Sequence, residues 1–492
     1  MNILDQLIAY VNPRKALERQ LAREVLQERA YAGASLGRDK WIPKRSGASA
    51  NADHAMDARM LRARARALVQ NVPNMTRALN GMVSNTIGTG IIPRSLAPNA
   101  ARVDDLWDEW AKVCDADATK HTFGGFVAAA YRASKQDGEV LIRLRPRRAD
   151  DGLPVPLQLQ LLEIDWLDSS KTGTNNGNAI INGIEYNPLG QVVAYWLFDQ
   201  HPGEHFAIGK GAASSKPVPA SSIIHYYNPD RPGQGRGISM FAPVISRVRD
   251  FQNYEDAEAA RKNLESRLGV IASGDSSNAL LGAAEKDPTA KARAVQNNSM
   301  GTLRGGEIVR IPADMNVTVV EPKAAPGYVD YCKYRQHDIA SGLGVTYEMM
   351  TGDYSEVNFS SARMARLEFM CSVESERWLH VIPRLCDRIR AAWYDAAILA
   401  GKLPETQSRK DDWSTPKWAY VNPVQDVKAD VDEIQNGLSS FSEKLRMRGY
   451  KPEQVFAELK TDLERLKEDG ILDVLLLLKK GRTLDEGTPS QK

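Results

Sequence analysis

The chain has 492 residues, too many for one ordinary core, so two to four domains are expected. Hydrophobic residues at 42% and charged residues at 26% are globular values, while a net charge of +2 excludes a protein that grips nucleic acid over its whole surface. The four cysteines, Cys114, Cys332, Cys371 and Cys386, form no CxxC pair; they exclude a disulfide scaffold and point to free thiols in a reducing compartment.

Residues 1–30 read as helix, with Leu17, Leu21 and Val25 four apart, and Asp5 inside the first apolar stretch argues against a secretory signal. Residues 31–56 are rich in Gly, Ala and Ser and read as a mobile arm. Seven arginines and no acid follow between Ala58 and Val103. Arg59, Arg62, Arg64 and Arg66 alternate with apolar residues at helical spacing, and Pro73 should open a second helix ending near Gly88. This run is either a patch for an anionic partner or, the favoured reading, the basic outer face of a helix pair whose arginines meet neighbouring subunits or carboxylates.

From Glu139 to Tyr227 the pattern turns to strands. EVLIRLRP alternates, and Asn187-Pro188-Leu189-Gly190 supplies the turn between IINGIEY and QVVAYWLF. Helix returns from Met240 to Leu268, with Phe241, Val244, Ile245, Val248 and Phe251 on one face. A small β-rich insert then precedes a helix from about Tyr328 to Gly342 and the polar loop TGDYSEVNFSSAR. Ser360 or Ser361 should cap the helix after this loop, Gly342 or Gly344 should end the helix before it, and Tyr354 and Phe359 are candidate anchors. The longest helix runs from Ser361 to about Ala400, with an apolar series Trp378, Ile382, Leu385, Ile389, Ala392 and Ala396 and an expected kink at Pro383. WAYVNP reads as a strand, and charged helices are expected at 425–447 and 451–480. The apolar run Val474–Leu478 is far too short to span a bilayer, so no membrane contact is expected.

Chemistry is sparse. GQGRGIS, from Gly233, approaches a GxGxxG cradle but misplaces its third glycine, and reads as a flexible turn before a helix. The seven histidines are scattered without ligand spacing; HPGEH reads as a solvated loop and His225 as a satisfied core histidine, so no metal or cofactor is expected. Asp353 and Glu356 leave one catalytic alternative open, a metal-dependent hydrolase or nuclease.

GLGVTYEMMTGDYSEVNFSSAR resembles the signature of the lambda family of phage portal proteins. NMTRALNGMVSNTIGTGIIP, DGEVLIR, PLQLQLLEIDWL, GIEYNPLGQVVAYW, RPGQGRGISMFAP and WAYVNP match in the family's order, so the resemblance covers about 60–430. It implies an α+β portal fold: a wing at 57–239 of helices then antiparallel sheet, stem helices at 240–268 and 327–343, and a β-rich clip at 269–326. It also implies a tunnel loop at 344–361, a kinked wing helix at 362–400 and a helical C-terminal crown region at 401–480. The arm, 1–56, and a disordered tail, 481–492, flank these parts. The tunnel-loop residues would be Thr351, Gly352, Asp353, Tyr354, Ser355, Glu356, Asn358 and Ser360. The implied function is a non-enzymatic ring of twelve copies at one vertex of the virion, assembled in the host cytoplasm. Its implied partners are the terminase large subunit, a head–tail connector, scaffold or major capsid protein, and double-stranded DNA passing without sequence readout. A shell component such as a head–tail adaptor is a further alternative, but such chains are usually much shorter.

Overall fold

The computed structural model describes residues 47–117, 120–204, 214–265, 269–273, 316–320, 327–418, 423–448, 450 and 452–471. The expected helix over 1–30, most of the arm, much of the β-rich insert and the tail therefore lie outside the described residues. The chain divides into two units, Met1–Met56 and Asp57–Lys492. Within the first, the last residues of the expected arm are already helical, because α1 (Ala50–Asn71) begins there, and the Ser49 hydroxyl accepts the Ala52 amide at 3.2 Å.

Pro73 opens α2 (Pro73–Thr86), where a missing amide costs nothing because the first-turn donors have no helical partner. β1 (Ile92–Ser95), α3 (Ala100–Ala111) and α4 (Phe123–Asp137) follow, and α4 ends at Gly138 in the left-handed region, φ 95°. β2 (Glu139–Pro146), β3 (Leu157–Leu162), β4 (Gly173–Asn175), β5 (Asn178–Ile181), β6 (Ile184–Tyr186), β7 (Val192–Phe198), β8 (Ser215–Pro219) and β9 (Ile223–Tyr227) make two sheets, ordered β3-β2-β9 and β4-β5-β6-β7-β8. Every pairing of these strands is antiparallel, which places the fold in the α+β class. At the β6–β7 turn Asn187 Oδ1 accepts the amides of Leu189 at 3.1 Å and Gln191 at 2.9 Å, and Gly190 takes φ 77°.

The next helix, α5 (Ile245–Glu265), starts five residues after Met240. Pro243 has no amide to donate, so residues 240–244 form turns instead, with the Phe241 amide on Ser239 Oγ at 3.2 Å. Among its described residues the insert shows one antiparallel pair, β10 (Gly269–Ser273) with β11 (Asn316–Val320). Beyond it lie α6 (Tyr328–Leu343), the short α7 (Tyr347–Thr351), α8 (Phe359–Glu376), a π-helical stretch Arg377–Cys386, and α9 (Asp387–Leu399). Pro383 sits inside the π-helical stretch. A proline ring clashes with the carbonyl four residues back, and the wider π turn relieves that clash; the Asp387 amide reaches five residues back to the Ile382 carbonyl. The wider turn also shifts the buried face. Ile382, Leu385 and Ile389 are buried as the apolar series required, but Trp378 is 47% exposed, and Val381, Trp393 and Tyr394 take up core positions instead.

Four of the six residues of WAYVNP, the expected strand, lie outside the described set, 419–422. The strand seen among the described residues of this region lies just before it and is β12 (Asp411–Ser414), paired with β1. The expected helix at 425–447 is two helices, α10 (Pro423–Gln435) and α11 (Phe441–Met447), because Gly437 takes φ 72° and Ser440 caps a new start. α12 (Pro452–Glu468) follows.

Among the described residues three cores hold these parts. In the first, α3, α4, the π stretch and α9 cover one face of the β3-β2-β9 sheet through Trp107, Trp110, Phe126, Val140, Ile142, Leu159, Ile224 and Trp393. Trp107 meets Trp393 edge-on at 5.3 Å, and the buried Arg390 guanidinium lies 4.6 Å from the Trp107 ring while pairing with Asp411 at 3.1 Å. The second core joins α1, α2, α5, α6 and α7. The third lies between the two sheets, around Leu141, Leu162, Ile184 and Ile223. Among the described residues no helix is long and apolar enough to cross a membrane.

Candidate functional site

The polar loop is a chain of local hydrogen bonds anchored at both ends. α6 stops because Gly344 takes φ 68°, where its amide and that of Val345 satisfy the carbonyls of Ser341 (3.1 Å) and Ala340 (3.1 Å). Of the two glycines considered as terminators, Gly344 is therefore the one used. Thr346 caps α7 by accepting the Met349 amide at 3.2 Å. α7 is seated on α2: Met350 is buried, Arg77 Nε donates to the Met349 carbonyl at 3.0 Å, and Met349 lies so close to Gly81 that a Cβ there would meet its side chain at 2.9 Å. The expected tunnel-loop span, 344–361, thus contains a helical turn fixed to the second core, just before the polar stretch.

Thr351 bonds back to the Tyr347 carbonyl at 2.9 Å, and Gly352 leaves the helix at φ 78°. Asp353 then organises the segment. Its Oδ1 accepts the Ser355 amide at 3.0 Å and hydroxyl at 2.6 Å, and its Oδ2 accepts the Tyr347 hydroxyl at 3.2 Å. The Ser355 hydroxyl first, and then its amide, hold the Asp353 carboxyl below the usual range. The Tyr347 ring stacks on His337 of α6 at 4.1 Å, and Glu356 pairs with Lys333 of the same helix. Tyr354 is exposed rather than an anchor; Tyr347 fills that role, because its ring has a partner on α6 and its hydroxyl one in the loop. The Phe359 side chain lies outside the described residues.

The cap of α8 is Asn358, not Ser360 or Ser361. Asn358 Oδ1 accepts the Ser361 amide at 2.8 Å, which starts the helix at Phe359 and leaves Ser360 within its first turn. Asn358→Ala should cost about 1 kcal/mol of local stability. Amide exchange at Ser361 and Ala362 should then quicken about fivefold. An unchanged exchange rate would assign that first turn to other contacts.

The two loop acids therefore serve structure. Asp353 is spent on Ser355 and Tyr347 and Glu356 on Lys333, so the pair is not arranged to hold one metal ion. The metal-sized grouping among the described residues is instead Glu163, Asp165 and His201, from the end of β3 and from HPGEH. Two guanidinium groups already occupy it. Asp165 accepts from Arg62 at 2.8 Å and Arg66 at 2.6 Å, and Arg66 also grips Asp137 at 2.6 Å. Burial alone would raise the Asp165 carboxyl, but Arg62 and Arg66 outweigh it and hold the pKa down.

This network agrees with the favoured reading for Arg62 and Arg66, which meet carboxylates, although Arg62 does so from a buried position and not from an outer face. Arg62 is buried and Arg66 half-buried against carboxylates of this same chain, because α1 lies across the start of β2 and the end of β3. Arg59 and Arg64 remain exposed. GQGRGIS is no flexible turn. Gln234 and Arg236 are buried, and Gly237 passes so close to Gly138 that a Cβ would stand 2.0 Å from its carbonyl oxygen.

Comparison with known proteins gives a consistent family. A family described as phage portal protein, lambda family, matches residues 37–377. A probable portal protein of Halomonas phage phiHAP-1 is 25% identical over 449 residues, covering 86% of this chain and 83% of its own. Portal protein B of Escherichia phage lambda is 22% identical over 388 residues, 72% of each chain. Among solved structures, a chain from the neck of an empty GTA particle aligns at 16% identity with a TM-score of 0.45, covering 85% of this chain and 97% of that one.

Proposed function

We propose that this chain, which belongs to the lambda family of phage portal proteins, closes head to tail into a twelve-membered ring at one vertex of the phage head. Members of this family are structural proteins of the virion, not enzymes. Double-stranded DNA passes through the ring during packaging and ejection. α5 and α6 serve as stem helices, and the insert over 269–326 is the clip that meets the terminase large subunit and later the head–tail connector. The sheets with α8, the π stretch and α9 form the wing, and α10 to α12 approach the crown. Scaffold or major capsid protein meets the outer surface, and assembly takes place in the host cytoplasm.

The observation that carries this reading is the state of the loop Thr351–Ser360. It offers two acids, Asp353 hydrogen-bonded to Ser355 and Tyr347 and Glu356 paired with Lys333, and no cation of its own. A duplex sliding past such a surface finds no phosphate grip, since salt-sensitive affinity grows with each lysine or arginine that meets a phosphate. Polar side chains such as Ser355 and Asn358 can touch the backbone without reading bases. A hydrolase built on Asp353 and Glu356 is disfavoured, because neither carboxylate is free to activate a water. Negative-stain images of the purified full chain should show closed rings with a central opening. A protein that stays monomeric at every concentration and salt would overturn the reading.

A further inference from the structure

One face of the β3-β2-β9 sheet carries three arginines that the function above does not use. β2 alternates: Val140 and Ile142 enter the core beneath α3 and α4, whereas Leu141 faces the second sheet. Arg143, Arg145 and Arg147 continue the Leu141 side. Successive members of this row are about 6.8 Å apart along the strand. Two glutamines of β3 on the same face hold it. Arg145 Nε donates to Gln160 Oε1 and Arg147 Nε to Gln158 Oε1, both at 2.9 Å. Gln158 is itself fixed, donating to the carbonyls of Val113 at 2.9 Å and Asp115 at 3.2 Å. With Nε engaged, the outer edge of each guanidinium is left to grip a carboxylate with two parallel bonds. None of the three arginines forms an ion pair with any described residue. Burial, and then the neighbouring Arg143 and Arg147, push the Arg145 pKa down.

The opposite side of the same unit carries the complement. α3 packs on the other face of this sheet through Val103, Trp107 and Trp110, with Trp110 Nε1 donating to the Leu157 carbonyl at 2.7 Å. Asp105 and Glu109 stand one turn apart on its exposed side, about 6 Å along the axis, and neither has an ion-pair partner among the described residues. Arg102, on the same stripe, is turned to the Lys402 carbonyl at 2.9 Å.

We propose that in the ring the Arg145–Arg147 end of this row on one copy docks against Asp105 and Glu109 of the next copy. The inference rests on the ring reading above. A head-to-tail contact requires two different, complementary surfaces on opposite sides of one subunit, and these two faces meet that requirement. Three arginines give at most about three phosphate contacts, fewer than the roughly six to ten of a strong duplex binder. The same short, rigid row suits two carboxylates at matching spacing.

Reversing each face tests this. Arg145→Glu with Arg147→Glu sets acid against acid between copies, and Asp105→Arg with Glu109→Arg sets base against base. Each double variant of the full chain, alone, should form rings about tenfold or more less often than wild type in negative stain and light scattering. Mixed one to one, the two should alternate and restore rings, because both new contacts are then complementary. A single chain carrying all four changes should also assemble. Unchanged melting curves separate lost docking from lost folding, and the four-change chain restores assembly only if docking was the defect. Rings formed at the wild-type level by either variant alone would overturn the proposal. So would a mixture that fails to assemble, or arginine variants that assemble normally but lose affinity for duplex DNA, which would assign the row to phosphates. Wild-type protein that never forms rings removes the ring reading and this docking together; wild-type rings with indifferent variants remove only the docking.

Discussion

Arg236→Met should destabilise the sheet region by about 3–5 kcal/mol, lowering soluble yield and the unfolding midpoint together. The reason is Glu139, which is fully buried at the start of β2. Arg236 meets it with Nε at 2.8 and 3.0 Å and with Nη2 at 2.7 Å, while Nη1 bonds the Asn182 carbonyl at 2.9 Å. Without Arg236, the carboxylate keeps His225 at 2.9 Å and the Gly237 amide at 3.1 Å, and Arg62 stands off at 3.8 Å. Those partners do not repay the cost of an ion removed from water. Methionine fills much of the volume, so the loss measures the uncompensated charge more than a cavity. Glu139→Gln combined with Arg236→Met should recover part of the loss, since neither ion then remains. An Arg236→Met protein that melts like wild type would mean that His225 and Arg62 suffice for Glu139.

Deleting 352–358 should leave ring assembly intact while reducing packaged, retained DNA to background. The cut falls after Met350, the residue that seats α7 in the second core, and before α8, so neither anchor is removed. What disappears is the Asp353–Ser355 turn, the Glu356–Lys333 tie and the Asn358 cap, whose loss costs about 1 kcal/mol. That is small beside the buried surface of the three cores. Ring counts from micrographs and nuclease-protected DNA in assembled heads read the two effects separately. A deletion protein that no longer closes rings would make the loop an assembly element; one that packages normally would remove it from the path of the DNA.

Much of this molecule is written locally. Pro73 opens α2 because its fixed φ and missing amide fit only a first turn, and Asn187 to Gly190 fold back β6 and β7 by bonds within five residues. The alternation in β2 marks its two faces, and the run of motifs around the Thr351 loop carries the family resemblance. The loop's hydrogen bonds were less legible. Asn358 rather than Ser360 caps α8, and Tyr347 rather than Tyr354 is the anchor, because the choice among nearby polar groups depends on where α2 and α6 stand.

By itself, then, the sequence determined the periodic elements, the turn chemistry, the mixed helical and antiparallel character and the family, all of which depend on neighbours within a few residues. Only the tertiary structure decided which charges are spent and which are left over. Arg62 and Arg66 look like Arg59 and Arg64 on a helix, yet a carboxylate from Asp165, about a hundred positions away, claims the first two. The Arg145–Arg147 row keeps its outer faces because Gln158 and Gln160, brought alongside by the β2–β3 register, carry no charge to neutralise it. A guanidinium's partner is set by which distant segment packs within about 4 Å, and no local pattern records that distance.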